Sequence, residues 1–258
     1  MKVVILAGGA GTRISEETDL RPKPMIEIGG KPILWHIMKI YSNFGFNDFI
    51  ICLGYKGEII KKYFADYHLH MSDITFDLRE AGMVRHNNHT EPWRVTLVDT
   101  GLSTLTGGRL RQLKSYLEGE KAFLMTYGDG VADVDVGALV KFHEAHGKLA
   151  TLTAVTPTER FGVLGISEGG RVDSFREKQL VNETQINGGY FVLSPKVLDY
   201  IPEEDVPWER APLERLASEG NLMAFRHGGF WQCMDTLRDK ILLEDLWKKG
   251  GAPWKTWR

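Results

Sequence analysis

Short apolar runs alternate with stretches of helical periodicity along the first half of the chain. The runs are rich in β-branched residues and bounded by glycine or polar residues, which is typical of buried strands in a parallel sheet. Between them, apolar residues recur at helical spacing from Ile33 to Phe44, before Gly45, and again from Ile59 to Phe64. This alternation predicts a parallel sheet with right-handed crossover helices. The predicted strands span residues 3–6, 49–53, 95–98 and 122–127.

The second half of the chain has a weaker pattern. Its predicted strands, which either pair with the parallel core or form a small separate sheet, span residues 152–155, 162–166, 172–175 and 190–193. Residues 68–93 show little periodicity, and no element is predicted there. Residues 236–249 carry apolar side chains at helical spacing, which predicts an amphipathic helix that packs inward or on a partner. These side chains are Leu237, Ile241, Leu242 and Leu246.

The composition excludes several classes of protein. Hydrophobic and charged residues make up 43% and 26% of the 258 residues, as in an ordinary globular protein rather than a disordered one. A net charge of -2 argues against a nucleic-acid binder. No apolar run approaches the roughly 20 residues of a membrane helix and no secretory signal is visible, so we expect a cytoplasmic protein. Cys52 and Cys233 lack the number and spacing of a disulfide framework or metal site, which predicts reduced structural thiols.

The glycine-rich segment after the first predicted strand is the strongest candidate site. Its glycines allow a sharp turn and a close approach of backbone N–H groups to an anion. Arg13 can bind phosphate oxygens through two N–H groups, and Lys23, between two prolines, adds a compact charge. Gly8 and Gly9 alone favour a flexible turn, and the segment lacks the features of a P-loop or a dinucleotide fingerprint. The whole combination predicts a nucleotide-phosphate cradle.

Two aspartates and an arginine complete the candidate chemistry. Asp129 lies between glycines at the end of a predicted strand, in a common Asp-Gly turn or facing a ligand. Mg²⁺ prefers one or two protein carboxylates together with substrate phosphates, and Asp235 is the second candidate. Arg109 follows another strand in a Thr-Gly-Gly-Arg loop, where it is either a phosphate ligand or a surface charge.

Three histidine pairs have spacings that metal sites use. No cysteine or carboxylate set completes a site around any of them, so we predict no histidine metal site. The pairs are His68 and His70, His86 and His89, and His143 and His146.

Two groups of motifs carry a resemblance to a known family. The first group is Gly8-Gly9-Ala10-Gly11-Thr12-Arg13, Thr18, Pro22-Lys23-Pro24-Met25 and Gly30-Lys31-Pro32-Ile33. The second group is Val98-Asp99-Thr100-Gly101, Thr106-Gly107-Gly108-Arg109-Leu110, Tyr127-Gly128-Asp129-Gly130-Val131 and Phe230-Trp231-Gln232-Cys233-Met234-Asp235-Thr236. The first group resembles the signature of sugar-1-phosphate nucleotidyltransferases. The second narrows the resemblance to the cytidylyltransferase branch of that family, and the resemblance runs nearly end to end.

The pattern and the resemblance together imply a three-layer α/β sandwich. Its central sheet is mainly parallel and Rossmann-like, of the nucleotide-diphospho-sugar transferase type, with a small additional β region. A single domain is expected, with a nucleotide-binding core at 1–150, a sugar-binding part at 151–235 and a C-terminal helix and tail at 236–258. The implied reaction uses Mg²⁺ and converts CTP and α-D-glucose 1-phosphate to CDP-glucose and pyrophosphate by direct in-line attack. The implied product serves the synthesis of deoxysugars of surface polysaccharides.

The resemblance also implies roles for individual residues. Arg13 and Lys23 are the implied catalytic residues, and Asp129 and Asp235 the implied Mg²⁺ ligands. Backbone groups near Gly8 and Thr104 are expected to contact cytosine. The sugar phosphate is expected at Glu177, Lys178, Asn187 and Gly188. The nucleotide is expected at Leu6, Ala7, Gly8, Gly9, Ala10, Gly11, Thr12, Arg13, Lys23, Thr104, Arg109 and Gly128.

The chain departs from the family pattern in two places. The family's Glu-Lys-Pro and following glycine turn are replaced by residues 179–185 after Lys178, so this loop is expected to be less preorganised. Cys233 stands where proline is expected, two residues from Asp235.

Near the C-terminus, Trp254 and Trp257 predict an exposed aromatic surface and with it a homo-oligomer such as a hexamer.

Other functions stay open at this point. The same chemistry with UTP, dTTP or another sugar 1-phosphate is one, and a catalytically silent regulatory protein, favoured only by the altered loop at 179–185, is another. A glycosyltransferase would use an Asp-x-Asp metal motif. Asp133-Val134-Asp135 has that form, but its position predicts that it begins the next helix.

Overall fold

The structure is a computed structural model that describes residues 1–11, 14–157, 163–166, 172–176 and 185–257. Its strands are β1 Val3–Leu6, β2 Glu27–Ile28, β3 Lys31–Pro32, β4 Asp48–Leu53, β5 Ser72–Asp77, β6 Gly82–Asn88, β7 Arg94–Asp99, β8 Phe123–Tyr127, β9 Gly130–Ala132, β10 Ala150–Val155, β11 Val163–Ile166, β12 Val172–Arg176, β13 Ile186–Leu193, β14 Leu222–His227 and β15 Trp231–Cys233. Its helices are α1 Ser15–Thr18, α2 Ile33–Ser42, α3 Gly57–Ala65, α4 Tyr67–His70, α5 Thr106–Arg111, α6 Val136–His146, α7 Ala211–Ser218 and α8 Leu237–Lys248, with 3₁₀ helices at Lys23–Met25, Lys114–Leu117 and Pro195–Tyr200.

A seven-stranded sheet in the order β14-β10-β13-β8-β1-β4-β7 forms the centre of the molecule. β1 pairs in parallel with β4 and β8, β4 with β7, and β10 with β14, whereas β13 runs antiparallel to both of its neighbours. The predicted mainly parallel sheet is therefore confirmed. Leu6, the last residue of β1, lies beside Cys52 of β4 and Tyr127 of β8. The carboxyl ends of these strands consequently meet at one edge of the sheet.

Hydrophobic clusters on the two faces of the sheet confirm the three-layer architecture. Val3 and Ile5 of β1 belong to the cluster that includes residues of α2 and α8. Val4 and Leu6 point to the opposite face and belong to the cluster with residues of α5 and α7. A strand buried on both faces has no polar positions to alternate with, which explains the continuous apolar run of β1.

The strands predicted in the second half of the chain follow both alternatives: some pair with the core, and others form a small separate sheet. β10 and β13 extend the central sheet, whereas β11 and β12 form a separate two-stranded antiparallel sheet. β14 also extends the central sheet and is not among the predicted strands. Residues 68–93, where the sequence predicts no element, contain the end of α4 and the β5–β6 hairpin. Phe76 and Met83 of this hairpin are paired with each other and exposed. Because the hairpin buries no complete face, its sequence carries no clear alternation of apolar and polar residues.

Only part of the predicted apolar stripe of α8 packs on the core. Leu237, Ile241 and Leu242 are 42%, 53% and 44% exposed, so of the two predicted orientations, inward or on a partner, these three residues do not take the inward one. Leu243 is fully buried and Leu246 packs partly against the same cluster. The buried side of α8 begins at a polar residue, Asp239. Because Asp239 is polar, the spacing of apolar residues does not show which side of the helix is buried.

The C-terminal tail folds back onto the core. Trp254 is 1% exposed and stacks on Phe230 and Trp247, so the expected exposure of this indole is wrong. Trp257 is partly buried against Trp35 of α2. These indoles fill space between α2 and α8 of one chain. Among the described helices, none has the length and apolar character needed to cross a membrane.

Candidate active site

A cavity of about 460 Å³ opens at the carboxyl ends of β1 and β8. This is the position at which open α/β sheets bind ligands. The cavity brings together many of the residues predicted to contact nucleotide or metal, namely Leu6, Ala7, Gly8, Gly9, Gly11, Lys23, Thr104, Arg109, Gly128, Asp129 and Asp235. Its lining also contains residues that the sequence analysis does not assign, namely Pro24, Leu105, Thr106, Tyr127, Pro207 and Glu209.

Several other predicted site residues are not part of this lining. Those that lie outside the described residues are Thr12, Arg13, Glu177 and Lys178, together with residues 179–184 of the atypical loop. Ala10 is exposed on the glycine-rich segment but does not line the cavity. Gly188 is buried in β13, where its carbonyl oxygen accepts from Nε1 of Trp231 at 2.7 Å. The predicted roles of these residues stay predictions.

Gly8 and Arg109 are packed against each other in the cavity wall. A Cβ on Gly8 would lie 2.1 Å from Nη1 of Arg109, so no side chain fits there. The buried guanidinium donates to the carbonyl oxygens of Leu53 at 2.8 Å and Gly8 at 3.1 Å. It also donates to Oγ1 of Thr100 at 2.6 Å. The surface-charge interpretation of Arg109 is therefore wrong, because its charge ties together the segments after β1, β4 and β7.

The ammonium of Lys23 lies between the two aspartates predicted to bind metal. Its Nζ donates to Oδ2 of Asp129 at 2.8 Å and to Oδ1 of Asp235 at 2.5 Å. Burial by itself lowers the pKa of Lys23, but the charge of Asp129 and the hydrogen bonds to both carboxylates outweigh burial and raise the pKa overall. Lys23 is therefore a charged group in the cavity wall, where it can meet a phosphate.

Pairing between β9 and β15 brings the two aspartates together from distant parts of the chain. Gly130 lies opposite Cys233, and the N–H of Met234 donates to the carbonyl oxygen of Asp129 at 2.8 Å. Ligand atoms of Asp129, Cys233 and Asp235 all lie within 4.8 Å of one another, an arrangement that can hold a metal ion. The local sequence gives no sign of this pairing.

The donor set of this cluster fits a small, hard cation. Both carboxylates already accept from an ammonium, and oxygen ligands are those that Mg²⁺ prefers. Burial, followed by the charge of Asp129, raises the pKa of Cys233. The Cys233 sulfur is therefore a neutral thiol and a poor ligand for Mg²⁺.

The first turn of α8 holds Asp235 in place. Thr236 is the N-cap residue, and its Oγ1 accepts from the N–H of Asp239 at 3.3 Å. The Asp239 carboxylate accepts in return from the N–H of Thr236 at 2.8 Å and from that of Asp235 at 3.1 Å. Asp239 is a supporting residue that the sequence analysis misses. Its signal is the Thr-x-x-Asp pattern, which forms a capping box at the start of the helix.

A chain of hydrogen bonds leads from the cavity wall to β13. The hydroxyl of Tyr127 donates to Oε1 of Glu209 at 2.6 Å. Nδ2 of Asn187 lies 3.5 Å from the Tyr127 hydroxyl oxygen. Asn187 thus contacts the lining without being part of it. Sequence reasoning misses Glu209 because it belongs to no motif and lies in a segment without periodicity.

The two histidines of α6 contact a threonine of β10, and both cysteines are free thiols. Nδ1 of His143 and Nε2 of His146 lie 2.9 and 2.7 Å from Oγ1 of Thr151. Cys52 is a buried free thiol in β4, and Cys233 is a half-buried free thiol beside the aspartates.

The chain is similar to known proteins over its whole length. The sequence pattern of the family described as nucleotidyl transferase matches residues 2–231. The chain is 62% identical over 257 residues to the glucose-1-phosphate cytidylyltransferase of Salmonella typhi, with 100% of both chains covered. It is 46% identical over 258 residues to a probable glucose-1-phosphate cytidylyltransferase of Bacillus subtilis, again with 100% of both covered.

The fold is also found among solved structures. HddC from Yersinia pseudotuberculosis superposes with a TM-score of 0.70 at 24% identity, covering 95% of this chain and 99% of the other. At that identity the likeness concerns the fold alone.

Proposed function

The chain belongs to the nucleotidyl transferase family, and we propose that it transfers CMP from CTP to α-D-glucose 1-phosphate, giving CDP-glucose and pyrophosphate. The observation that carries the choice of substrates is the 62% identity to the Salmonella typhi glucose-1-phosphate cytidylyltransferase over the full length of both chains. The cavity at the strand ends supports the proposal, since it combines a glycine-rich backbone, a lysine and a pair of carboxylates.

The chemical problem is the approach of two anions. An oxygen of the sugar phosphate attacks the α-phosphorus of CTP while the bond to the pyrophosphate oxygen breaks, so no covalent protein intermediate is needed. Reactions of this kind depend on positioning and on neutralising charge. Backbone N–H groups of residues 8–11 are proposed to bind the triphosphate, and Lys23 the region of the α-phosphate.

We assign the metal role to Asp129 and Asp235. Their contacts with the Lys23 ammonium support this assignment, because the pair already accommodates a cation. Bound Mg²⁺ would neutralise phosphate charge. Asp239 would keep Asp235 in place through the N–H contact described above.

The remaining roles rest on the motifs and on the lining. Arg13 is proposed to hold the triphosphate, and Glu177 and Lys178 the sugar phosphate. Asn187 and Gly188 are proposed to bind the sugar on β13. Cytosine is proposed to contact backbone groups near Gly8 and Thr104, both of which line the cavity.

We also propose that the protein is a homo-oligomer, such as a hexamer. Two groups of exposed apolar side chains support this, one on the β5–β6 hairpin and one on α8. They are Phe76, Leu78, Met83 and Val84, and Leu237, Ile241 and Leu242. Light scattering should give a mass that is a multiple of 29.2 kDa. A mass equal to that of one chain at micromolar concentration would contradict the proposal.

The reaction is tested by pyrophosphate release from the purified protein. Assays contain Mg²⁺, glucose 1-phosphate and one of CTP, UTP, dTTP or ATP, with and without a chelator. We expect release that is strongest with CTP and lost with the chelator. Stronger release with another nucleotide would reject the cytidylyl assignment, and no release with any nucleotide would reject the reaction.

A further inference from the structure

Glu209 is a carboxylate in the wall of a cavity that we propose binds phosphates. Asp129 and Asp235 also line this cavity, but both are paired with Lys23. In the part of the chain that the structure describes, Glu209 has no ion-pair partner. A carboxylate charge repels phosphate. Hydroxyl groups of a substrate suit the space beside Glu209 better, because they donate hydrogen bonds to a carboxylate.

Two hydroxyl groups from different elements hold this carboxylate. Tyr127, at the end of β8, donates to Oε1 at 2.6 Å. Thr106, at the start of α5, donates to Oε2 at 2.6 Å. Hydrogen bonds to an ionised carboxylate are stronger than those between neutral groups. The phenol of Tyr127 has a single proton and donates it to Oε1 of Glu209.

The carboxylate sets the direction of the hydrogen-bond chain that continues to Asn187. Because Glu209 only accepts, the single proton of Tyr127 points to it, and the phenolic oxygen presents a lone pair to Asn187. Nδ2 of Asn187 lies 3.5 Å from that oxygen, and Oδ1 of Asn187 accepts from the N–H of Gly189 at 2.9 Å. Both contacts favour the orientation of the amide that has Nδ2 facing Tyr127 and Oδ1 facing Gly189.

The other branch of the chain leads to the nucleotide side of the cavity. Oγ1 of Thr106 accepts from the N–H of Trp208 at 2.8 Å while it donates to Glu209. Thr106 begins the helix that carries Arg109, whose guanidinium holds the carbonyl oxygen of Gly8. Glu209 is thus the residue at which polar contacts from the two sides of the cavity meet.

We propose that Glu209 is a positioning residue that sets specificity for the sugar. It orients the Asn187 amide through Tyr127, and its charge reserves the adjacent space for hexose hydroxyls. This inference rests on the proposed function, because it takes a sugar 1-phosphate as the ligand of Asn187. A glutamine at position 209 keeps the size of the side chain but replaces one acceptor with a donor, so the direction of the chain is no longer fixed.

The test compares Glu209→Gln, Tyr127→Phe, the double variant and a control, Glu203→Gln, at another exposed glutamate. Glu209→Gln should raise both the KM and the calorimetric Kd for glucose 1-phosphate about tenfold, as expected for the loss of one charged hydrogen bond. It should also reduce discrimination against galactose 1-phosphate, while the KM for CTP changes less than about twofold. Tyr127→Phe should have the same effect, and the double variant should be no worse than either single variant.

Three results would overturn the inference: an equal loss of CTP and sugar-phosphate affinity, additive effects in the double variant, or a Glu209→Gln protein that behaves like the control. Calorimetry keeps this outcome separate from that of the proposed function. A wild-type protein that binds glucose 1-phosphate but releases no pyrophosphate from CTP would contradict the proposed function, and the comparison of Kd values would still decide the role of Glu209.

Discussion

Adjacent residues of the cavity wall differ in the space that they leave for a side chain. Gly8 meets the guanidinium of Arg109 at a distance that only a glycine allows. The neighbouring Gly9 differs, since a Cβ built there meets nothing within 4 Å. Alanine at each of these glycines reduces backbone freedom, but only alanine at Gly8 also creates a steric clash.

We expect Gly8→Ala to lower the free energy of unfolding by about 1–3 kcal/mol, because the methyl group must displace a buried guanidinium from its partners. Gly9→Ala is the control and should stay within about 0.5 kcal/mol of the wild type. Urea unfolding of the protein without ligand measures both. Equal stability of the two variants would show that Arg109 does not fill the space beside Gly8.

The proposed metal role is tested at Asp129. Asp129→Asn should lower kcat by about 10²- to 10³-fold, since one preorganised charge contact is lost. It should also weaken binding of Mn²⁺ as a probe ion. Asp73→Asn, at an exposed position of the β5–β6 hairpin, is the control for loss of a carboxylate. Near-normal turnover of Asp129→Asn would remove Asp129 from the metal site.

Helices and strands are predicted well from sequence where residues close together in the chain determine them. β1 and the turn after it follow from a buried apolar run that stops at glycine, and the structure has both. The contact between Asp129 and Asp235 depends on pairing of β9 with β15. The sequence predicts the two aspartates as a pair of metal ligands, but no local pattern contains the strand pairing that joins them. Neither a local pattern nor the family resemblance predicts a role for Glu209.

The N-terminus of α8 illustrates why a buried polar residue misleads periodicity. Asp239 faces inward because its carboxylate accepts the N–H groups that precede the helix. The apolar spacing that predicts the helix includes Leu237 and Ile241, which are exposed. The capping box is the local signal that identifies the true face.

The cap predicts a link between helix stability and the metal site. Thr236→Ala should cost about 1 kcal/mol of unfolding free energy, the usual effect of removing an N-cap hydroxyl. It should also weaken Mn²⁺ binding, because Asp239 loses a partner and holds Asp235 less firmly. Ser218→Ala removes a hydroxyl at the exposed end of α7 and is the control. Unchanged stability and Mn²⁺ affinity in Thr236→Ala would contradict this link.

For the whole molecule, acid stability is expected to depend on a buried histidine. Burial is the largest influence on His36 and lowers its pKa from 6.5 to about 4, against the raising effects of a hydrogen bond to Ile28 and the charge of Glu244. Between these values the unfolded chain takes up a proton that the folded chain excludes. The stabilising contribution is therefore complete above pH 6.5 and is lost progressively as the pH falls toward 4.

Unfolding free energies at several pH values test this dependence. The wild type should lose up to roughly 3 kcal/mol through His36 between neutral pH and pH 4. His36→Gln should be less stable at neutral pH, because the buried ring packs among aromatic side chains, but should show a flatter acid dependence. His68→Gln, at an exposed position, should retain the wild-type slope. An identical slope in His36→Gln and the wild type would assign the acid sensitivity to other groups.

A competition among nucleotides tests the proposed cytidylyl transfer. The wild-type protein is incubated with Mg²⁺, glucose 1-phosphate and equal concentrations of CTP, UTP, dTTP and ATP, and the nucleotide sugars formed are identified by mass spectrometry. We expect CDP-glucose as the main product and loss of its formation in Asp129→Asn. A different nucleotide sugar as the main product, or full activity without the Asp129 carboxylate, would contradict the proposed reaction.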